Sequence, residues 1–309
     1  MHYWGIAGAF YGSVPRHIAE PAWALLDHKL RSVVTSFCNR YNILEVVTRE
    51  SMPRNLDHTA AIAHLSSVDR RLARIIAKAG PCMLQRETTQ NVFEALLESI
   101  IYQQLNGKVA ATITSRVKAL FPENTHQLHT WRGLVPGFPT PQQILAATPE
   151  RLRSAGLSQA KMLAIRDLAA KALDGTVPTV REARKLSNEE LIERLTAVRG
   201  IGRWTVEMLL IFGLGRPDVL AVDDYGVRKG FAKMHRMDEL PKSKELAAYG
   251  ARWRPHRSVA CWYLWRAAAM KDLPEPGAKA KAEAKAKKSA KKKRTLKSSA
   301  KKTARVRRQ

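Results

Sequence analysis

Residues 195–230 read LTAVRGIGRWTVEMLLIFGLGRPDVLAVDDYGVRKG, and their reading decides both fold and chemistry. Gly200 and Gly202 flank Ile201 between two helical patterns, a Gly-x-Gly turn whose backbone N–H groups no side chain covers. Trp204 opens the apolar run Thr205-Val206-Glu207-Met208-Leu209-Leu210-Ile211-Phe212. The amides around Gly202 are therefore expected to point outward at the positive end of a helix dipole, where a phosphate binds. Arg199 and Arg203 add positive charge on either side. The bland alternative is a helix–helix turn that needs glycine only for its geometry. Against it stands Asp223-Asp224, which follows the apolar stretch Val219-Leu220-Ala221-Val222 and opens another helix. One aspartate caps that helix, while its neighbour, pointing elsewhere, is available for chemistry.

Working outward, apolar periodicity and capping residues predict helices at 68–79, 92–105, 108–121, 141–147, 149–155, 158–174, 188–196, 203–212, 224–233, 242–249 and 257–270. Strands find almost no support, and no tandem repeat is present. The expectation is an all-α body, in two lobes formed by chain before and after the central helices, with a ligand cleft between them. Residues 56–273 are assigned to this domain. Residues 1–55, with a helical pattern at 22–38, read as an N-terminal extension or as sequence upstream of a start at Met52.

The chain of 309 residues has a formal net charge of +26, which calls for a polyanionic partner. Residues 278–309 hold eleven Lys, four Arg and one Glu, so +14 sits there and +12 on residues 1–277. The body is basic in its own right. The low-complexity stretch from 274 to 309 is expected to be a disordered basic tail, because it lacks the large apolar residues that would offset ordering. It reads either as a nucleic-acid arm or as a solubilising extension. Cys38, Cys82 and Cys261 are too scattered for a disulfide framework or a metal site. No metal and no cofactor are expected. MHYWGIAGAFYGSVP lacks a signal-peptide pattern and no window spans a membrane, so the expectation is a soluble, cytoplasmic protein.

Segment 195–230 resembles the catalytic core of the helix-hairpin-helix DNA glycosylases of base-excision repair. Leu195, Val198, Gly200, Ile201, Gly202 and Thr205 fit the hairpin pattern, and Gly213 to Asp224 fit the loop that ends in the family's aspartate. VDDYG resembles the alkylation-repair branch, DNA-3-methyladenine glycosylase II. FEALLESIIYQQLNGKVAATITSRV at 93–117, AGLSQAKMLAIRDLA at 155–169 and RWRPHRSVACWYLWR at 252–266 resemble the family's central helices, its Gly-Leu/Lys-Ala helix and its closing helix. The resemblance covers residues 60–273 and implies the two-lobed all-α glycosylase fold.

It also implies roles. Strand-cutting members carry a lysine nucleophile two positions after the hairpin's second glycine; here that position is Trp204, implying a monofunctional enzyme that leaves an abasic site. Cleavage of the base–sugar bond develops oxocarbenium character, which an ionised carboxylate near C1′ stabilises. Asp224 is assigned that role, with Asp223 the alternative alignment. Trp204, Tyr225, Trp265 and Met208 are assigned to the pocket for the flipped base, and Trp262 reads more as core. Met208 stands where the branch can carry tyrosine, a departure that bears on substrate range. Arg199, Gly200, Ile201, Gly202 and Arg203 are assigned to DNA backbone, and Gln104 or Leu105 to the wedge that fills the vacated stack. The partner is double-stranded DNA carrying alkylated bases such as 3-methyladenine, bound by a monomer. A glycosylase for oxidised or deaminated bases and a non-catalytic DNA-binding protein remain the alternatives.

Overall fold

A computed structural model describes residues 58–84, 89, 91–127 and 134–277. The readings made for residues 1–55, for Cys38 and for 278–309 lie outside the described residues. In chain order the helices are α1 (Thr59–Val68), α2 (Arg70–Ala79), α3 (Val92–Tyr102), α4 (Gly107–Ala119), α5 (Pro141–Ala146), α6 (Pro149–Ser154), α7 (Gln159–Leu173) and α8 (Val180–Ala183). They continue with α9 (Asn188–Thr196), α10 (Arg203–Met208), α11 (Tyr225–His235), α12 (Ser243–Gly250) and α13 (Arg257–Ala269). The described residues divide into two compact units, one of residues 83–216 and one of 58–82 with 217–277.

The first unit runs from α3 to α10. Its helices begin where short polar side chains satisfy the first N–H groups, which makes their starts legible in the sequence: Asn91 caps α3, Asn106 caps α4, Thr148 caps α6 and Ser158 caps α7. Thr140–Gln143 and Ser187–Glu190 form reciprocal capping boxes at α5 and α9. Helix α7 packs on α3, α5 and α6, and Leu96, Leu97, Ile100 and Ile101 meet Ile165 and Leu168 in a core from which solvent is fully excluded. Burial of each such side chain contributes about 1.5–3 kcal/mol.

Three departures from expectation have local causes. Helix α8 has four residues, too few for periodicity, and is held by the Thr179–Glu182 capping box. A two-stranded antiparallel ladder pairs Thr125–Gln127 with Leu134–Pro136, in register Thr125 to Pro136, and three residues are too few to show alternation. The predicted helix 203–212 is α10 followed by a π-turn at Leu209–Gly213, closed by the Leu214 N–H on the Leu209 carbonyl at 2.8 Å. That turn brings Gly213 against Thr89: a Cβ there would lie 2.5 Å from Thr89 Oγ1, and the Thr89 N–H donates to the Gly213 carbonyl at 3.1 Å.

The second unit holds α1, α2, α11, α12 and α13. Helices α11 and α13 lie almost in backbone contact, since a Cβ on Gly230 would fall 1.9 Å from the Leu264 carbonyl oxygen. Helix α2 packs on both. Asp69 fixes its start, accepting through Oδ1 from the Arg71 and Leu72 N–H groups and through Oδ2 from the indole of fully buried Trp253 at 3.0 Å. The predicted helix 68–79 therefore begins at Arg70. Cys82 and Cys261 are buried and not disulfide-bonded. Among the described residues no helix is long and apolar enough to cross a membrane.

Candidate functional site

In the first unit, α9 runs into the turn at residues 197–202. The Ile201 N–H donates to the Val198 carbonyl at 3.0 Å, and Gly200 has φ +79°, a left-handed conformation that favours glycine. Gly202 is the N-cap of α10 and carries no side chain to cap it. Among the described residues nothing accepts from the N–H groups of Gly200, Gly202 or Arg203. Gly202 sits at φ −95° with open space where a Cβ would be, so the fold itself does not require glycine there. Buried Ile201 anchors the turn, and its N–H is used internally rather than offered outward.

The two arginines of the hairpin differ. Arg203 is gripped by both oxygens of Glu189, at 3.0 and 3.1 Å, and by buried Glu207 at 3.1 Å. The Glu189 hydrogen bonds raise its pKa above the usual arginine value, and its charge is matched inside the unit. Arg199 is exposed, and its backbone N–H donates to Asp167 Oδ2 at 2.7 Å. Burial pushes the Asp167 carboxyl up, but the Arg199 N–H and the Lys171 ammonium outweigh it and hold the group below the usual carboxylate range.

The end of α3 reaches the same turn. Gln103 leaves the helix and donates through Nε2 to the Gly200 carbonyl at 2.9 Å. Lys161, partly desolvated so that its pKa is lowered, closes α3 by donating to the carbonyls of Ile101 and Gln103 at 2.6 and 2.8 Å. Gln104 then stands exposed at φ +57°, while Leu105 is half-buried with its N–H on the Tyr102 carbonyl at 3.2 Å. Helix α7 thus supports both the predicted wedge loop and the hairpin.

In the second unit, Asp224 is the N-cap of α11 and only 3% exposed. Its Oδ1 accepts from the Val227 N–H at 2.7 Å and from the Trp265 indole N–H at 2.8 Å. Of the two aspartates, the one that caps the helix is the buried Asp224. Asp223 is exposed and accepts from the Ser243 hydroxyl. Gly226 makes room for this arrangement, since a Cβ there would lie 2.7 Å from Trp265 Cδ1 and 3.1 Å from Asp224 Oδ1. Tyr225 presents its ring at 49% exposure. Trp262 packs in the core, 8% exposed, under the Arg266 guanidinium at 4.5 Å and edge-on to Tyr263.

Of the residues chosen from sequence, Asp224, Tyr225 and Trp265 come together in the second unit. Half-buried Trp204 and buried Met208 lie on α10 in the first, with the hairpin and the Gln104 loop. Sequence reasoning missed Lys161, Asp167, Glu189 and Gly226. Lys161 and Asp167 fall inside the quoted segment 155–169, but nothing in their spacing says which carbonyl or amide they meet. Gly226 had the most readable signal, a glycine at the second position of a helix directly after the aspartate pair.

A family model described as HhH-GPD superfamily base excision DNA repair protein matches residues 97–255. The Schizosaccharomyces pombe protein named DNA-3-methyladenine glycosylase 1 is 36% identical over 234 residues, spanning 75% of this chain and 96% of its own. Escherichia coli DNA-3-methyladenine glycosylase 2 is 30% identical over 175 residues, spanning 57% of each chain. Among solved structures, the S. pombe 3-methyladenine DNA glycosylase in complex with abasic DNA matches with a TM-score of 0.58 at 36% identity, covering 70% of this chain and 100% of that one.

Proposed function

Since this chain belongs to the HhH-GPD superfamily of base excision DNA repair proteins, we infer that it is a DNA glycosylase that excises alkylated bases such as 3-methyladenine from duplex DNA. It hydrolyses the N-glycosyl bond and leaves an abasic site. The observation that carries the residue assignment is the carboxylate of Asp224, buried and held by the Val227 N–H and the Trp265 indole.

The chemistry follows from that fixed charge. As the C1′–N bond breaks, its electron pair leaves with the base and the sugar acquires oxocarbenium character. A base made cationic by alkylation departs neutral, so no general acid is needed. Asp224 stabilises the developing positive charge, and its orientation is set before reaction, so no reorganisation is spent in the transition state. Water adds to C1′ and gives up its proton to solvent, leaving the hydroxyl of the abasic sugar. Tyr225 and Trp265 offer aromatic faces to the flipped cationic base, each contact worth about 0.5–2 kcal/mol.

The Gly200–Arg203 turn takes a backbone phosphate on its open amides with Arg199 alongside, a contact that positions without reading sequence. Arg203, tied to Glu189 and Glu207, shapes the turn. Gln104, at the tip of the α3–α4 connection, is the wedge. Trp204 has no amine with which to form a Schiff base, so the enzyme is monofunctional.

The deciding experiment is release of free base from alkylated duplex DNA, against duplexes carrying uracil or 8-oxoguanine. Preferential release of 3-methyladenine is expected, without strand cutting and without a borohydride-trapped complex. Release of uracil or 8-oxoguanine with alkylated bases left in place would move the substrate class, and binding with no release would leave a DNA-binding protein.

A further inference from the structure

The central peptide of the hairpin, from the Gly200 carbonyl to the Ile201 N–H, is held at both ends. Its N–H donates to the Val198 carbonyl at 3.0 Å, and its carbonyl accepts from Gln103 Nε2 at 2.9 Å. The N–H groups on either side of it, those of Gly200 and Gly202, meet no acceptor among the described residues. Because a peptide is planar, fixing its carbonyl and its N–H fixes the plane, and with it the directions in which those neighbouring N–H groups point. The side chain that completes this arrangement belongs to the residue directly before Gln104 and comes from 97 positions earlier in the chain.

Gln103 is itself held at three points. Its N–H donates to the Ser99 carbonyl at 3.2 Å as the C-cap of α3, its carbonyl accepts from the Lys161 ammonium at 2.8 Å, and its side chain rests on Gly200. Lys161 donates a second N–H to the Ile101 carbonyl at 2.6 Å. Carbonyls of a last helical turn have no partner within their own helix, and a cation is the donor that the negative end of the helix dipole favours. Half-buried Lys161 thus commits two of its three N–H groups to the end of α3. It thereby sets the point from which the chain turns into Gln104, exposed at φ +57°.

Helix α7 makes the same connection by a second route. Lys161, Ala164 and Asp167 follow one another at three-residue intervals, a span of about 9 Å along the helix. Lys161 meets the root of the Gln104 connection, and the Ala164 methyl lies 3.5 Å from where a Cβ on Gly200 would stand. Asp167 accepts from the Arg199 N–H at 2.7 Å. All of these residues lie in one compact unit.

We propose that Gln103 and Lys161 are positioning residues that couple the hairpin to Gln104, so that a backbone phosphate seated on the Gly200–Arg203 turn also holds Gln104 where it fills the vacated stack. The coupling rests on the readings of that turn as the phosphate clamp and of Gln104 as the wedge. Its benefit is entropic: a wedge already ordered by the anchoring contact gives up less freedom when it inserts.

The test is a double-mutant cycle in the full-length chain. Gln103→Met keeps the length of the side chain and removes its donor; the bond it breaks is exposed, so the melting temperature is expected to hold. Two quantities are followed on duplex DNA carrying one alkylated base. One is single-turnover base release at saturating protein, where weaker binding does not enter. The other is opening of the stack, read by the fluorescence of 2-aminopurine beside that base. Gln103→Met and Gln104→Ala are each expected to slow release on the order of tenfold, below the 10²-fold that a 1 Å misplacement of reacting groups costs, and to reduce the fluorescence rise. If Gln103 acts through Gln104, the double variant falls no further than Gln104→Ala alone, whereas independent losses multiply to on the order of 10²-fold. Multiplying losses overturn the coupling, as does wild-type behaviour in Gln103→Met. Wild-type release in Gln104→Ala would sink the wedge reading, and wild-type affinity in Gly202→Val the clamp reading; either takes the proposal with it, while multiplying losses leave both readings standing. Stack opening needs no chemistry, so a protein that releases no base would lose the glycosylase reading and still have its coupling decided by fluorescence. Lys161→Met, measured below its melting transition, is expected to add nothing in the Gln104→Ala background. An undiminished loss there would confine Lys161 to holding the fold.

Discussion

The hairpin at Gly200–Arg203 and the carboxylate site at Asp224 are both organised by glycine, for opposite reasons. At Gly202 a side chain would meet nothing within 4 Å, so the protein's own packing does not require glycine there. At Gly226 and Gly230 a Cβ would strike Trp265 Cδ1 at 2.7 Å and the Leu264 carbonyl at 1.9 Å, so what excludes it is the protein's own packing. The first region leaves the N–H groups of Gly200, Gly202 and Arg203 without an acceptor among the described residues. The second uses buried side chains to fix one charge. A glycine in a functional segment therefore has two separable meanings, and substitution distinguishes them.

The largest effect is expected from Asp224→Asn. Asparagine caps a helix about as well as aspartate, so the fold and the Val227 hydrogen bond survive while the charge is removed. Single-turnover base release should fall about 10²–10³-fold, the usual cost of removing one preorganised electrostatic group, with DNA binding kept or tightened. If Asp223→Asn loses release and Asp224→Asn retains it, the assignment passes to Asp223.

Gly226→Ala comes next. The added methyl displaces Trp265 or the carboxylate, and misplacement by about 1 Å costs on the order of 10²-fold in rate. Affinity for undamaged duplex should not change. A variant that releases base at the wild-type rate would show that the Trp265–Asp224 hydrogen bond does not matter to the reaction.

Gly202→Val inverts that outcome. Melting temperature should hold, because the side chain enters open space, while binding to damaged and undamaged duplex weakens by the same factor, about tenfold or ~1.4 kcal/mol. Loss of the fold instead, or wild-type affinity in a stable variant, would remove the phosphate clamp.

The smallest effect concerns Asp167 under the hairpin. Its carboxyl lies below the usual range in the folded protein, so its stabilising contribution is complete above the ordinary aspartate value and is lost as pH falls through the lower folded value. Hydrogen-exchange protection of the Arg199 amide should therefore hold down to about pH 4 and decline below it, whereas Asp167→Asn should show weaker protection with no such step. A step that persists in the Asn variant would place its cause elsewhere.

The sequence alone determined most of the helices and the family, because those signals are local, although it did not separate α1 at Thr59–Val68 from α2, which begins at Arg70. Ser158, Thr140 and Ser187 satisfy N–H groups within three residues of themselves, and the Gly-x-Gly turn and the aspartate pair are contiguous motifs. Elements too short for a period, α8 and the ladder at Thr125–Gln127 and Leu134–Pro136, escaped it. Only the tertiary structure decided which aspartate is buried and held, because the deciding indole is Trp265, 41 residues away. The same holds for the partner of Trp265, which is the carboxylate at the start of α11 and is not named by any spacing in the sequence. It holds for Arg203, whose charge is met by Glu189 from the preceding helix, and for Gly226, whose constraint is the face of a distant ring. Backbone propensity and capping are read from neighbours in the chain, whereas the partner of a charge and the space left for a side chain are set by segments that meet only on folding.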